Sequence, residues 1–572
     1  LALGFILLAL VLIMAGSENS EGATITVPDD YPNIQSGYAI CNDGDTLHIN
    51  DGEYNNVALV VNKEVYIEGA TMKSTIINGN GEDPVVILQH DNATLKTLSV
   101  RGGYLNGVLI QSCNDTELRY VNISSSERSG LNITGGNRHY IGFSEIYSNQ
   151  HYGIYADSRV DPILSIENLI LYSNIVRSNQ YDGCYVFGAN HTTVFGCNFS
   201  SNEQNGLSCR CSNNLSIGQC HIWSNADSNG ILLDIYCHNS EIYLTDVYNH
   251  AGSGILSRYS NEVWIHDNRV HSNNIGIYNM FSNNCTIEDN EIYSSSSYGV
   301  TSSNCHDITW INNYIEGSAS VDMYFSVSSR CYILFNTFVD SGAGFQMQFL
   351  SDNITFQGNK IYNNETPLYL IKSIFTVNDI VIDGNEFYSN ADYGISIFDG
   401  NRWTISDNEF IGQLGISIYV YDGNNCTIED CNFVNNTQGV FMMYSDNNTI
   451  RNCLFQDCDM GLQFDIGCNN NTIYGNSFIN NTVHAQDGIG TTWYNINTLR
   501  GNYWDTYTGV DIDGDGVGDT DLPYGYDPYP LTDNPPLPSD YVEAYLGDIV
   551  GLILFVALLG IIVKFKKKVI KK

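Results

Sequence analysis

The stretch NNCTIEDNEIYSSSSYGV (Asn283–Val300) returns, little changed, as NNCTIEDCNFVNNTQGV (Asn424–Val440) and NNTIRNCLFQDCDMGL (Asn447–Leu462). The shared frame is Asn-x-Thr-Ile, then Asn or Cys, then Ile or Phe, a polar turn, and Gly followed by Ile or Val. Turn glycines mark the period at Gly107, Gly130, Gly153, Gly183, Gly206, Gly230, Gly254, Gly276 and Gly299. They return at Gly344, Gly394, Gly415, Gly439 and Gly461, and most intervals are 21 to 24 residues or about twice that. A period this short, with alternating apolar residues and no helical pattern, means one β-coil per repeat. Leucine-rich repeats share the period, but their Leu-x-x-Leu-x-Leu frame is absent. The expected fold is all-β: a single-stranded right-handed parallel β-helix, a solenoid of about nineteen coils stacked about 4.8 Å apart.

Such a solenoid has raw strand edges at both ends, and both need capping. Near the start, Asp30 can N-cap a short helix over Pro32–Ile40 that buries Ile34, Tyr38 and Ile40. Asn268, Asn290, Asn359, Asn385, Asn408 and Asn432 recur beside a turn and are expected to form an inward ladder of side-chain amides. The expected organisation is a signal peptide over 1–22, the β-helix over 23–500 and an Asp/Gly-rich cap over 501–532. A Pro-rich linker (533–545), a transmembrane helix (546–563) and a basic cytoplasmic tail (564–572) complete it.

The end segments rest on composition. LALGFILLALVLIMAGS (Leu1–Ser17) has the apolar core and small-residue end of a secretory signal, with an uncleaved anchor as the alternative. IVGLILFVALLGIIV (Ile549–Val563) precedes Lys564, Lys566, Lys567, Lys568, Lys571 and Lys572, which places the body of the chain outside the membrane. Asn92, Asn122, Asn214, Asn353 and Asn447 stand in glycosylation sequons, as suits an exported chain and a glycoprotein. The chain carries 63 acidic against 24 basic side chains, net −39, which disfavours nucleic acid and anionic surfaces as partners. Cations and polyhydroxyl ligands suit it better.

VPDDYPNIQ (Val27–Gln35) with GDTLHINDGEY (Gly44–Tyr54) resembles the opening of the pectin-lyase-like β-helix superfamily. The coils resemble its NosD-type and carbohydrate-binding/sugar-hydrolase branch. GNYWDTYTGVDIDGDGVGDTDLPY through YDPYPL (Gly501–Leu531) is similar to the terminal module of NosD-like and archaeal surface β-helix proteins. The resemblance covers about Ala23–Leu531. It implies the fold, and it implies a range of activities that includes lyases, hydrolases, epimerases, copper-delivery proteins and passive surface proteins. The paired-Asp and Gly-His-Gly signatures of polygalacturonases are absent. The copper role that the NosD resemblance implies has no ligand pattern behind it, since the chain holds neither Cys-x-x-Cys nor His-x-His.

The chain holds 16 Cys, and Cys197 with Cys220, like Cys431 with Cys453, fall at one repeat position on successive coils. Stacked positions lie within disulfide range, while free thiols at the same place act as small apolar fillers; both readings stand.

Two site candidates follow. In each coil the central Ile or Val of the second apolar triplet points inward, so its neighbours point outward. The outward pairs read His221/Trp223, Asp246/Tyr248, Arg269/His271 and Glu291/Tyr293, then Lys360/Tyr362, Glu386/Tyr388 and Glu409/Ile411. Trp223, Tyr248, His271 and Tyr293 offer ring faces to sugar C–H faces, and Asp246, Arg269 and Glu291 are candidate catalytic groups. Two carboxylates two coils apart, about 10 Å, approach the spacing of inverting glycosidases, with Arg269 placed to hold a uronate or lower their pKa values. Outward columns also stack for stability alone.

The second candidate is GVDIDGDGVGDTD (Gly509–Asp521). Asp511, Asp513, Asp515 and Asp519 fall at positions 1, 3, 5 and 9 of an EF-hand-type loop, with Gly516 at 6 and the Val517 carbonyl at 7. Position 12 is Leu522, so Asp521 or Asp527 would complete the shell. The expected cofactor is a structural calcium ion. Together these readings describe a membrane-anchored, cell-surface β-helix module, structural or carbohydrate-binding, with a polysaccharide-active enzyme as the alternative. Oligomeric state has no signature in the sequence.

Overall fold

Strand after strand alternates buried and half-exposed residues, as in Asp246–Tyr248 and Thr286–Glu288, because only every second side chain faces the core. A computed structural model describes residues 22–535, except 83, 160–164, 227, 349–350, 372–376, 487–489 and 521–526. It is a parallel β-solenoid of about 20 turns with almost no helix. The stretch expected as one β-helix divides into two compact units at Thr286 and Ile287.

In the first unit most coils lay down three strands. Ile231–Asp234, Glu241–Tyr243 and Asp246–Tyr248 form one such set. Successive coils pair in parallel without slippage: Cys184 with Leu207 and Ile231, Thr193 with Ser216 and Glu241, Asn198 with His221 and Asp246. The glycine markers open the first strand of each set. They serve close approach: a Cβ on Gly206 would sit 2.5 Å from Ile222 Cγ2 and 2.9 Å from the Gly230 oxygen. The true turns use left-handed Asp and Asn, such as Asp267 (φ 54°) and Asn284 (φ 54°), which explains why these residues are so abundant.

The N-terminal cap differs from expectation in detail. The helix runs Ile34–Ile40, and Asn33 caps it by accepting a bond from the Ser36 N–H. Asp30 instead accepts from the Thr26 N–H. Ile34, Gly37 and Tyr38 face the core, while Ile40 is exposed. Asn33 takes the cap because its own backbone is extended (φ −151°, ψ 164°) directly before the first helical residue, which sets its Oδ1 2.9 Å from the Ser36 nitrogen.

The second unit repeats the pattern, with Thr309, Tyr332, Thr355, Val381, Thr404 and Thr427 in one parallel register and Tyr314, Thr337, Lys360, Glu386, Glu409 and Asn432 in another. Its amide ladder runs Asn290, Asn313, Asn336, Asn359, Asn385, Asn408, each Nδ2 donating to the next Oδ1 at 2.9 to 3.2 Å. Asn432 is not a rung. It begins the next strand opposite Glu409, and Cys431 holds the rung, 3.9 Å from Asn408 Nδ2. Cys453 follows, and Asn476 and Asn502 resume the amides. Cys197 and Cys220 stand in the matching column of the first unit, between Asn174 and Thr245. The stacked cysteines and the amide ladder are thus one column. All 16 thiols are free and every one but Cys211 is buried; burial pushes Cys197 up to about 11 and Cys113 to about 12.

Phe387, Phe410, Phe433, Phe455 and Phe478 stack ring on ring at 4.7 to 5.0 Å, and Trp504 closes the stack 4.4 Å from Phe478. Buried Asp527 accepts from Trp504 Nε1 and the Asn502 N–H, fixing this lid. Among the described residues no helix is long and apolar enough to cross a membrane. The expected span at 546–563, the basic tail and nearly all of the expected signal segment lie outside the described residues.

Candidate carbohydrate-binding face and acidic cap

Three adjacent strands of the first unit, His221–Trp223, Asp246–Tyr248 and Arg269–His271, build the expected strip. Ile222, Val247 and Val270 anchor it from below, each fully buried. In-register pairing then forces the outward residues into columns: His221, Asp246, Arg269 and Trp223, Tyr248, His271. The second column is a ring stack. Trp223 and Tyr248 lie 6.0 Å apart at 5°, and Tyr248 and His271 lie 4.8 Å apart at 4°. The Asp246 carboxylate sits between two imidazoles, 3.4 Å from His271 Nε2 and 3.9 Å from His221 Nδ1. Partial burial holds the His271 pKa below its ordinary value, against the pull of Asp246 and with the help of nearby Arg269.

Glu291 and Tyr293 belong to the second unit, where they pair with Tyr314 and Glu316. The first unit therefore contributes one carboxylate of the expected catalytic pair, Asp246, with ring faces and imidazoles around it. The rings face one another along the column and turn their edges outward, beside a carboxylate able to accept hydroxyl bonds.

A second aromatic and imidazole cluster lies beside the strip, unmarked by the repeat frame. On the strand preceding Arg269–His271, Trp264 and His266 stack at 3.9 Å, and His266 stacks on Tyr243 at 5.7 Å. His266 also contacts Glu241 at 3.0 Å and Asp267 at 2.8 Å. Its signal was Trp264-Ile265-His266, an outward-inward-outward triplet at the Thr-Ile-Glu position of the repeat.

In the acidic cap, the carboxylates of Asp511, Asp513 and Asp519 converge, with one oxygen from each lying within 4.8 Å of the others. Backbone turns hold them there. Asp511 accepts from the N–H groups of Gly514 (2.6 Å) and Gly516 (2.9 Å), which lowers its pKa, and Asp519 accepts from Ile512 at 2.6 Å. Gly514 and Gly516 take φ of 80° and 84°, a conformation that only glycine adopts cheaply. Asp515 is outside the cluster: its side chain accepts from the Val517 N–H, and Val517 bridges to Leu531. Asp527 does not complete the shell, since its oxygens serve the Trp504 lid; Asp521 lies outside the described residues.

A family model described as "Right handed beta helix region" matches residues 106–242, 205–361 and 282–415, together more than half of the chain. A second, "Periplasmic copper-binding protein (NosD)", matches 351–509. The probable ABC transporter binding protein NosD of Stutzerimonas stutzeri is 34% identical over 82 residues, 14% of this chain and 19% of that protein. The match thus spans about a fifth of the curated relative's length. Among solved structures, the mannuronan C-5 epimerase A-module of Azotobacter vinelandii shares 15% identity with a TM-score of 0.35, over 66% of this chain and 92% of that one. The periplasmic alginate epimerase AlgG shares 14% at 0.36, over 60% and 84%. The Dettilon tailspike protein shares 14% at 0.36, over 61% and 68%.

The thiols of the segment matched by the NosD model do not fit copper. The thiols within 351–509 are buried, and Cys426 and Cys458 are held protonated by pKa values pushed up to about 11, whereas copper takes thiolate or imidazole. Among the described residues the convergent ligand cluster is the all-carboxylate set at Asp511, Asp513 and Asp519, a hard-oxygen site. Parallel register within each unit, inward amide columns and a family match over more than half its length together establish that the chain belongs to the right-handed parallel β-helix family.

Proposed function

We propose that this chain is a surface β-helix module that binds polysaccharide along Trp223, Tyr248 and His271. The observation that carries the reading is the parallel stack of rings, within 5° across three coils, beside a carboxylate flanked by imidazoles. A half-buried aromatic ridge of this kind holds a glycan through its ring edges, its terminal ring face and hydroxyl bonds to the carboxylate. Asp511, Asp513 and Asp519 take a calcium ion that offsets their mutual repulsion and steadies the cap. The apolar run Ile549–Val563 and its lysines support attachment to a membrane, with the coils outside.

The test is a glycan array with the full chain, wild type against a Trp223→Ala/Tyr248→Ala double variant. The expected result is loss of the wild-type hits with an unchanged melting temperature; equal binding by the two proteins assigns the stack to stability. A reducing-end assay on each hit reads the alternative, a polysaccharide-cleaving enzyme. For the cap, calcium is expected to raise the melting temperature by mass action, and Asp511→Ala with Asp513→Ala to remove the rise. Identical melting in calcium and in chelator would dismiss the ion.

A further inference from the structure

The second unit carries a concavity of about 640 Å³ that is unrelated to the strip. Its floor is the outward row Tyr332, Thr355, Val381, Thr404, in parallel register on four successive coils. Its wall is the turn row just before those strands. There Asp307, Arg330, Asn353, Asp379 and Arg402 all adopt the left-handed conformation, φ 54° to 58°, so each side chain leaves the turn in the same direction.

The wall is organised as two clamps with a gap. Arg330 Nε and Nη2 donate to the two oxygens of Asp307 at 2.7 and 2.8 Å, and Arg402 makes the same pair of bonds to Asp379, both at 2.8 Å. Asn353 falls between the clamps, and its short side chain leaves the space open. Each guanidinium has five N–H donors and spends two on its carboxylate. The rest are held in fixed directions. Tyr332 is 48% exposed and Val381 37% exposed, and both belong to the floor, so each offers apolar surface to the groove. The volume lies within the range of small-ligand sites, and four coils at about 4.8 Å span about 14 Å, enough for about three hexose rings.

We propose that this groove binds an uncharged oligosaccharide. Both arginines are already neutralised by carboxylates whose pKa values the pairing lowers, so the wall carries donors and acceptors without net charge. A uronate would meet no unpaired cation there and would approach a chain of net charge −39. Vicinal hydroxyls match the planar Arg edges, the Asn353 amide and the hydroxyls of Thr355 and Thr404. The Tyr332 ring supplies the flat face. The groove involves no residue of the strip, so the inference does not depend on the function proposed for it.

A third clamp supplies an internal control: in the first unit Arg138 grips Asp115 by the same two bonds, each 2.6 Å. The experiment is calorimetric titration of the full chain carrying Trp223→Ala/Tyr248→Ala, which removes the strip. Asn353 stands in a glycosylation sequon, so the protein is made in a host without N-glycosylation. The probes are cello-, manno- and xylo-oligosaccharides of three to six units, with oligogalacturonate as the charged counterpart. At least one neutral series is expected to bind, Tyr332→Ala to weaken it at least tenfold, and Asp307→Asn/Arg330→Gln to weaken it similarly. Asp115→Asn/Arg138→Gln is expected to leave affinity unchanged. Binding that survives both groove variants, binding of oligogalacturonate alone, or no binding by any series overturns the proposal. Urea unfolding of each variant confirms that a lost titration signal is not lost fold.

Discussion

The inward faces of the two units agree where their outward faces part. Both bury amide rungs, at the two turns that flank one strand of the coil: Asn202 follows Asn198–Ser200, and Asn359 precedes Lys360–Tyr362. Asn202 in the first unit bonds Asn179 and Asn225 much as Asn359 in the second bonds Asn336 and Asn385. The outward residues of the same strands differ: rings stack at Trp223, Tyr248 and His271, whereas the second unit pairs Lys360 with Glu386 at 2.9 Å and Tyr388 with Glu409 at 2.9 Å. Stacking coil on coil dictates what lies inside. The outside is left to solvent and ligand, so the outward strip is where function can vary without cost to the fold.

The comparison breaks most sharply from within. Asn359→Leu and Asn202→Leu each strand several buried partners, and each is expected to cost about 4 kcal/mol. Urea unfolding checks this; a large cost in one unit and none in the other would end the claim that their interiors are equivalent.

Acid comes next. His139 is buried in the first unit and held down to about 4, because burial disfavours its charged form. It stays neutral in the fold while the unfolded chain titrates near its ordinary value, so its contribution to stability is present above about pH 6.5 and is lost as pH falls toward 4, by about 3 kcal/mol. Asp322 in the second unit runs the other way. Burial lifts it to about 8, so stability is present at acid pH and falls as pH rises toward that value. His139→Gln and Asp322→Asn are expected to flatten opposite limbs of the melting-temperature profile; profiles that match the parent would show that neither group titrates as its surroundings demand.

Smaller effects belong to the outer faces. Removing Trp223 and Tyr248 is expected to lower glycan affinity at least tenfold, upward of about 1.4 kcal/mol, enough to lose the array hits, while Tyr362→Ala/Tyr388→Ala leaves it alone. Equal losses from both pairs would erase the distinction between the faces. Smallest is Glu386→Gln, expected to cost about 0.5 kcal/mol because the ion pair is half exposed, with the deficit vanishing in high salt.

Most of the fold was legible because one physical requirement, burial of every second residue against the next coil, is written into each repeat. The strip was legible for the same reason: alternation alone places Trp223, Tyr248 and His271 on one line. Where the reading slipped, chemistry had hidden the period. Asn432 looked like a rung because Asn is the usual rung, yet Cys431 fills that place, and alignment of Asp289-Asn290 with Asp430-Cys431 carries the correction. Asp30 and Asn33 are both good caps by type, and only the start of the helix at Ile34 selects between them. The Asp–Arg clamps went unseen because partners 23 residues apart look like isolated charges until the coils are stacked.

The amide column also bears on inheritance. Asn336 answers Asn359 across 23 residues, and each is followed by an outward residue and an inward apolar one. A recombination event that deletes or duplicates one such segment joins like to like and leaves every rung satisfied. Coil number is therefore a quantity that descent can change in whole steps, lengthening or shortening the displayed surface while the interior chemistry stays the same.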